Sequence, residues 1–218
     1  MRQTTVDTLR QARVVPVIDL ADPDGARPLA EALLTAGARV AELTLRSPRS
    51  LEALRELAVA ARELGEGPGG HPLLVAAGTV LTPDEFDAAR DAGAELCISP
   101  GATDSLRRHA VATGADWVPG VSSASEVMAA LESDLRDVKF FPAEASGGVN
   151  AVKSLLAPFR RERLSIMPTG GITAESAGSY LAVDGVVAVG GSWMVSPALL
   201  EAGRWSEVER LMREAMQV

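Results

Sequence analysis

One of the two lysines in this chain, against nineteen arginines, stands inside a predicted β-strand. Lys139 lies in the segment 137–142, where valine and phenylalanine favour a strand and Pro142 ends it. A buried lysine can lose its proton, which arginine cannot, and its neutral amine attacks a ketone to form a Schiff base. Apolar neighbours disfavour the charged ammonium, and Phe141 lies on the same face of the strand as Lys139. The alternative interpretation is a lysine on an edge strand that extends its charged end into solvent.

A second set of reactive groups falls on the predicted strand Val40–Arg46. With the two-residue period of a strand, Glu42, Thr44 and Arg46 share one face, and leucines occupy the positions between them. Burying a carboxylate, a hydroxyl and a guanidinium is unfavourable unless they pair with one another or act on a ligand. Two interpretations stay open: an ion pair between Glu42 and Arg46, or a general base beside an arginine that binds a substrate carboxylate.

Glycines follow three of the predicted strands. Gly78 can let the backbone approach a ligand, and Thr79 after it offers a hydroxyl. Two doublets, Gly170–Gly171 and Gly190–Gly191, end the seventh and eighth predicted strands, and Ser192 follows the second doublet. The loops after these strands are a common phosphate site in (β/α)₈ barrels, where backbone N–H groups bind the anion. The alternative is that these glycines only form turns.

The elements that must position these residues follow a regular alternation of strand and helix patterns. The predicted strands are Val14–Leu20, Val40–Arg46, Leu73–Val80, Leu96–Pro100, Trp117–Val121, Val138–Pro142, Ser165–Thr169 and Val186–Val189. The predicted helices are a short leading helix over 3–12, then Asp24–Ala36, Ser50–Leu64, Pro83–Ala92, Thr103–Ala112, Ala124–Leu131, Val149–Pro158, Ala174–Ala182 and Pro197–Met216.

Eight alternations predict a parallel α/β fold and favour a single (β/α)₈ TIM barrel domain over residues 1–218. The polar residues at the carboxyl ends of its strands would then form the active site. An open, doubly wound sheet is the alternative. It is less favoured because no glycine-rich dinucleotide fingerprint follows the first strand.

Composition limits the partners that can be expected. The 218 residues are 47% hydrophobic, which is enough for a core, and the net charge of −8 with a pI of about 4.9 argues against nucleic acid and anionic membranes. The absence of a long apolar run or an apolar signal region predicts a cytoplasmic protein. With a single cysteine, Cys97, the chain cannot form an internal disulfide. Its two histidines are far apart in the sequence, so we expect no metal site.

Eight segments between Val14 and Val195 resemble 2-keto-3-deoxy-6-phosphogluconate (KDPG) aldolase, also called 4-hydroxy-2-oxoglutarate aldolase. These segments are VVPVI, ELTLRS, AGTVLT, ISPG, VPGVSSASE, KFFPAEASGGV, PTGGIT and GGSWMV. They occur in the same order over nearly the whole chain. The combination of KFFPAE with PTGGI and GGSW is specific to that family.

The resemblance implies a role for each matching residue. Lys139 matches the Schiff-base lysine, and Glu42 matches the carboxylate that transfers protons. The residues that match substrate contacts are Arg46 and Thr79 at the pyruvyl part, Pro100 and Phe141 in the pocket, and Gly170, Gly171, Gly190, Gly191 and Ser192 at the phosphate end. The family also implies a (β/α)₈ barrel, a homotrimer, no cofactor, and a role in the Entner–Doudoroff route of carbohydrate metabolism.

The expected reaction is that of a class I aldolase. Lys139 attacks the C2 ketone of KDPG, the C3–C4 bond breaks, and pyruvate and glyceraldehyde 3-phosphate are formed, with Glu42 moving protons. The same chemistry on 4-hydroxy-2-oxoglutarate gives pyruvate and glyoxylate. An aldolase for the phosphogalactonate epimer and a non-catalytic phosphosugar-binding barrel are the alternatives. The inward positions of Lys139 and Glu42 argue against the second of these.

Overall fold

A computed structural model describes residues 3–218, with the side chains of Thr5 and of residues 7–218. The strands are β1 Arg13–Ile18, β2 Val40–Thr44, β3 Leu74–Gly78, β4 Leu96–Ile98, β5 Trp117–Val118, β6 Gly120–Val121, β7 Asp137–Phe140, β8 Ser165–Pro168 and β9 Ala188–Gly191. The α-helices are α1 Gln3–Ala12, α2 Ala26–Thr35, α3 Ser50–Leu64, α4 Pro83–Asp91, α5 Asp104–Thr113, α6 Ala124–Glu132, α7 Gly148–Leu156, α8 Ala174–Leu181, α9 Pro197–Glu201 and α10 Trp205–Ala215.

The strands form two parallel sheets, which confirms the predicted parallel α/β fold. One sheet has the order β5-β4-β3-β2-β1-β9, and the other has the order β6-β7-β8. Single parallel bridges, Ile166 to Val186 and Thr169 to Gly190, connect the end of the second sheet to the end of the first. The predicted fifth strand is divided at Pro119, which has no N–H group to donate to a ladder, so β5 and β6 belong to different sheets.

Most of the strands lie between two apolar clusters. Ala41 and Leu43 of β2 pack into the larger cluster together with residues of the helices, while Val40 belongs to a smaller cluster on the opposite face of the strands. Leu9 and Ala12 of α1 are part of this smaller cluster and are buried. The leading helix therefore covers one end of the strands with apolar side chains, and polar groups are placed at the carboxyl ends.

The predicted helix ends agree with the structure where a left-handed glycine stops the helix. Gly37, Gly93 and Gly114 follow α2, α4 and α5 with φ values of +88°, +105° and +61°. The predicted last helix, Pro197–Met216, was wrong. It is two helices, because Gly203 adopts a φ of +61° and breaks the pattern between α9 and α10.

Other boundaries differ because short helical turns extend the apolar pattern. Pro23–Gly25 and Ala157–Phe159 form 3₁₀ helices, so α2 begins later and α7 ends earlier than predicted. Among residues 3–218, no helix is long and apolar enough to cross a membrane.

Candidate active site

A buried ion pair joins the two residues that sequence analysis selected for chemistry. Nζ of Lys139 on β7 donates a hydrogen bond to Oε1 of Glu42 on β2 at 2.7 Å. Lys139 is 5% exposed and Glu42 is 0% exposed. β7 lies between β6 and β8, so the interpretation of Lys139 as an edge-strand lysine that reaches solvent was wrong.

The partner of Glu42 differs from the one that the sequence suggested. No ion pair joins Glu42 to Arg46 in the described part of the chain, since β2 ends at Thr44 and Arg46 lies beyond it in an exposed position. Glu42 Oε2 accepts no hydrogen bond from the residues that the structure describes. An unpaired buried carboxylate oxygen is costly, and it gives a substrate hydroxyl or a water a strong acceptor.

The end of β3 makes room for this carboxylate. A Cβ atom on Gly78 would overlap Glu42 Oε1. Glycine at 78 therefore makes space for the Glu42 side chain, whereas the sequence suggested that it makes space for a ligand. Thr79 follows with a φ of +60°, a strained conformation for a β-branched residue and typical of functional sites. Its Oγ1 lies 3.4 Å from Arg46 Nε, so a hydroxyl and a guanidinium lie together at this strand end.

The surroundings of Lys139 are apolar on the side away from Glu42. Its Nζ lies 5.6 Å from the ring centroid of Phe141, so the predicted position of Phe141 beside the lysine is confirmed. Across the ladder its neighbours are Gly120 of β6 and the buried Met167 of β8. A Cβ atom on Gly120 would overlap the carbonyl group of Pro100, which brings the end of β4 close to the lysine strand.

Glycine is required at the two doublets for different structural reasons. Gly170 and Gly171 adopt φ values of +104° and +78°, so the first doublet is a left-handed turn that other residues rarely form. Gly190 and Gly191 end β9, which excludes the turn interpretation for the second doublet. There a Cβ atom would overlap Thr169 Oγ1 or the ring of Trp193.

Backbone donors remain available beside both doublets. Within residues 3–218, the N–H groups of Gly171 and Ser192 donate to no acceptor. Gly171 and Ser192 are also exposed. Free backbone N–H groups at adjacent strand ends are a suitable arrangement for an anion.

Thr169 was missed by sequence reasoning. It follows β8, is 4% exposed, and forms the bridge to Gly190, while its Oγ1 has no partner among the described residues. The available signal was the same as at Thr79, a threonine next to a glycine at a strand end. Thr169 therefore adds a further side-chain hydroxyl at the carboxyl ends of the strands.

Two large surface cavities lie elsewhere. One of about 680 Å³ opens at the start of β4 and is lined by Asp87, Arg90, Asp91 and Glu95 among others. The other, of about 600 Å³, precedes β8 and is lined by Lys153, Phe159, Arg160 and Arg163 among others. Neither includes Lys139, and the chemistry of the buried pair locates the site better than the volume of a surface hollow.

Among the described residues, no group of three or more His, Cys, Asp or Glu side chains could hold a metal ion.

A buried lysine paired with a carboxylate, next to apolar side chains and free backbone N–H groups at parallel strand ends, defines an α/β enzyme suited to imine chemistry. Known proteins agree with this class. The family model for KDPG and KHG aldolase matches residues 6–211. The 2-dehydro-3-deoxy-phosphogluconate aldolase of Pseudomonas aeruginosa is 43% identical over 213 residues, which are 97% of this chain and 92% of that protein.

Solved structures show the same similarity. KDPG aldolase from Legionella pneumophila, with pyruvate captured at low pH as a covalent carbinolamine intermediate, superposes with a TM-score of 0.86 at 36% identity, covering 94% of this chain and 95% of that one. The Zymomonas mobilis ZM4 aldolase with 3-phosphoglycerate gives 0.85 at 41% identity, covering 99% and 95%. This chain belongs to the KDPG and KHG aldolase family and is a lyase.

Proposed function

We propose that this protein is a class I aldolase that cleaves KDPG to pyruvate and glyceraldehyde 3-phosphate. The observation that carries the proposal is the buried hydrogen bond of 2.7 Å between Lys139 and Glu42. The P. aeruginosa relative, a 2-dehydro-3-deoxy-phosphogluconate aldolase, and the covalent pyruvate in the L. pneumophila structure support it.

The first steps form the imine. Glu42 accepts a proton from Lys139 along their hydrogen bond, and the neutral amine then attacks C2 of the substrate. Glu42 returns this proton to the hydroxyl of the resulting carbinolamine, which leaves as water, and a protonated imine remains. This cation is the electron sink for bond cleavage, because it draws the electrons of the C3–C4 bond towards nitrogen.

The later steps break the bond and release the products. A water or Glu42 takes the proton of the C4 hydroxyl, the C3–C4 bond breaks, and the aldehyde leaves while the pyruvate carbons stay on Lys139 as an enamine. Glu42 returns a proton to C3, and water hydrolyses the imine to free pyruvate and the amine. The same steps on 4-hydroxy-2-oxoglutarate release glyoxylate in place of the phosphorylated aldehyde.

The two charged ends of the substrate have separate proposed sites. Arg46 and Thr79 would bind the pyruvyl carboxylate, since a guanidinium and a hydroxyl lie together there. The free N–H groups of Gly171 and Ser192 would bind the phosphate. The full set of proposed substrate-binding residues is Arg46, Thr79, Pro100, Phe141, Gly170, Gly171, Gly190, Gly191 and Ser192.

We also propose that residues 1–218 form one domain whose two sheets close into an eight-stranded barrel. The bridges between β8 and β9, and the single residue that separates β5 from β6, support this closure. The homotrimer and the cytoplasmic location remain predictions. A stable monomer in light scattering at working concentration would contradict the first of these.

Steady-state kinetics on KDPG, its C4 epimer and 4-hydroxy-2-oxoglutarate test the proposal. We expect the largest kcat/KM for KDPG, and loss of all turnover in Lys139→Arg, because arginine keeps its charge. Lys153→Arg is the matched control, since Lys153 is exposed on α7, and it should keep full activity. A preference for the epimer would reassign the substrate, and no turnover of any of the three would favour a binding protein.

A further inference from the structure

Tyr180 is a buried residue with a hydrogen bond that the proposed reaction does not use. This residue of α8 is 0% exposed, and its hydroxyl donates a hydrogen bond to Oε1 of Glu144 at 2.6 Å. Burial, and then the Glu144 carboxylate, raise the pKa of Tyr180. The hydroxyl therefore stays protonated and continues to donate to Glu144 throughout the neutral range.

Glu144 lies directly beside the first glycine doublet. The N–H groups of Ala143 and Glu144 donate to the carbonyls of Thr169 and Gly170 at 2.8 and 3.0 Å, which joins the segment after β7 to the loop after β8. A Cβ atom on Gly171 would lie 2.8 Å from Glu144 Cβ and 2.9 Å from its Cγ. The Cβ and Cγ atoms of Glu144 thus pack directly against the loop that is proposed to bind phosphate.

The carboxylate of Glu144 is held on the side away from that loop. Its Oε2 and the Tyr180 hydroxyl both lie 3.6 Å from the Cβ position of Gly148, the first residue of α7. The start of a helix carries partial positive charge and favours a carboxylate there. Without Tyr180, the exposed carboxylate of Glu144 could rotate towards the free N–H group of Gly171 and repel an anion.

We propose that Tyr180 is a positioning residue that makes the site accept a phosphorylated substrate, by holding the Glu144 carboxylate away from the loop Thr169–Gly171. This inference rests on the proposed function, because it assumes that the loop binds the phosphate of KDPG. Tyr180 acts through Glu144 and touches no reacting atom.

Three variants separate this role from a structural one: Tyr180→Phe, Glu144→Gln, and the two changes together. Tyr180→Phe should raise KM for KDPG about tenfold, the effect of losing one hydrogen bond to a charged group, and leave kcat unchanged. KM for 4-hydroxy-2-oxoglutarate, which has no phosphate, should stay within about twofold of the parent. The double variant should regain the parental KM for KDPG, because the charge that repels phosphate is gone.

Inorganic phosphate, titrated by calorimetry into the same four proteins, gives a readout that does not need turnover. Phosphate should bind the parent, Glu144→Gln and the double variant alike, and Tyr180→Phe about tenfold more weakly. Equal affinities in all four proteins, no binding by the parent, or a double variant as weak as Tyr180→Phe would overturn the inference. If the phosphate pattern holds but the parent neither cleaves KDPG nor forms an imine with pyruvate, the proposed function fails and the role of Tyr180 stands.

Discussion

Replacing Lys139 with methionine should leave the Glu42 charge unpaired in the protein interior. The two charges of the pair are 2.7 Å apart, and with an effective dielectric constant of about 20 their attraction is about 6 kcal/mol. Taking both ions out of water costs several kcal/mol each, so the intact pair adds little net stability. Removing one partner is different: it leaves Glu42 buried and unpaired, at a cost of about 3–5 kcal/mol.

Urea unfolding at equal protein concentration measures this effect. Lys139→Met should lose about 3–4 kcal/mol relative to the parent at pH 7.0. Adding Glu42→Leu should recover most of the loss, because a buried pair replaced by apolar residues is close to neutral. The exposed control, Lys153→Met, should change stability by no more than about 0.5 kcal/mol. A loss below about 1 kcal/mol for Lys139→Met would refute the reasoning.

Three further predictions concern other parts of the molecule. Gly191→Val would force a side chain into the ring of Trp193 beside the proposed phosphate site, so steady-state kinetics should show KM rising far more for KDPG than for 4-hydroxy-2-oxoglutarate; equal losses would point to general damage. Burial raises the pKa of Asp137 against the opposing charge of Arg10. The free energy of unfolding should therefore fall as pH rises from about 3.9, the pKa in the unfolded chain, through the raised pKa of the folded protein. Asp137→Asn should therefore raise Tm at pH 7 and have a smaller effect near pH 4, and an effect of the same size at both pH values would contradict this. Burial raises the pKa of Cys97 to about 12, so iodoacetamide at pH 8 should label it in urea but not in the native protein; rapid native labelling would show that the thiol is accessible.

Local patterns were enough to predict the order of strands and helices and to select Lys139 and Glu42 as candidate reactive residues. The two-residue period of a strand correctly placed Glu42 and Thr44 on the face away from the helices, because both are buried and β2 is regular to its end. The same period was extended too far at Arg46, since the strand ends two residues earlier. Sequence periodicity carries no information about where the hydrogen bonds of a ladder stop.

Contacts between distant strands could not be predicted in the same way. Glu42 and Lys139 are 97 residues apart, so nothing local indicates that they pair, and an arginine four residues away was the nearer candidate. The sequence suggested that Gly78 makes space for a ligand, because the carboxylate that occupies this space belongs to the neighbouring strand β2. Thr169 was missed for the same reason, since its position over Gly190 depends on the contact between β8 and β9.

Imine trapping tests the central claim most directly. Incubation with pyruvate and borohydride should fix a three-carbon adduct on Lys139 and not on the exposed Lys153, and with two lysines in the chain peptide mass mapping distinguishes them. Lys139→Arg should abolish both the adduct and the cleavage of KDPG. An adduct on Lys153, no adduct at all, or full turnover by Lys139→Arg would contradict the assignment of a class I aldolase.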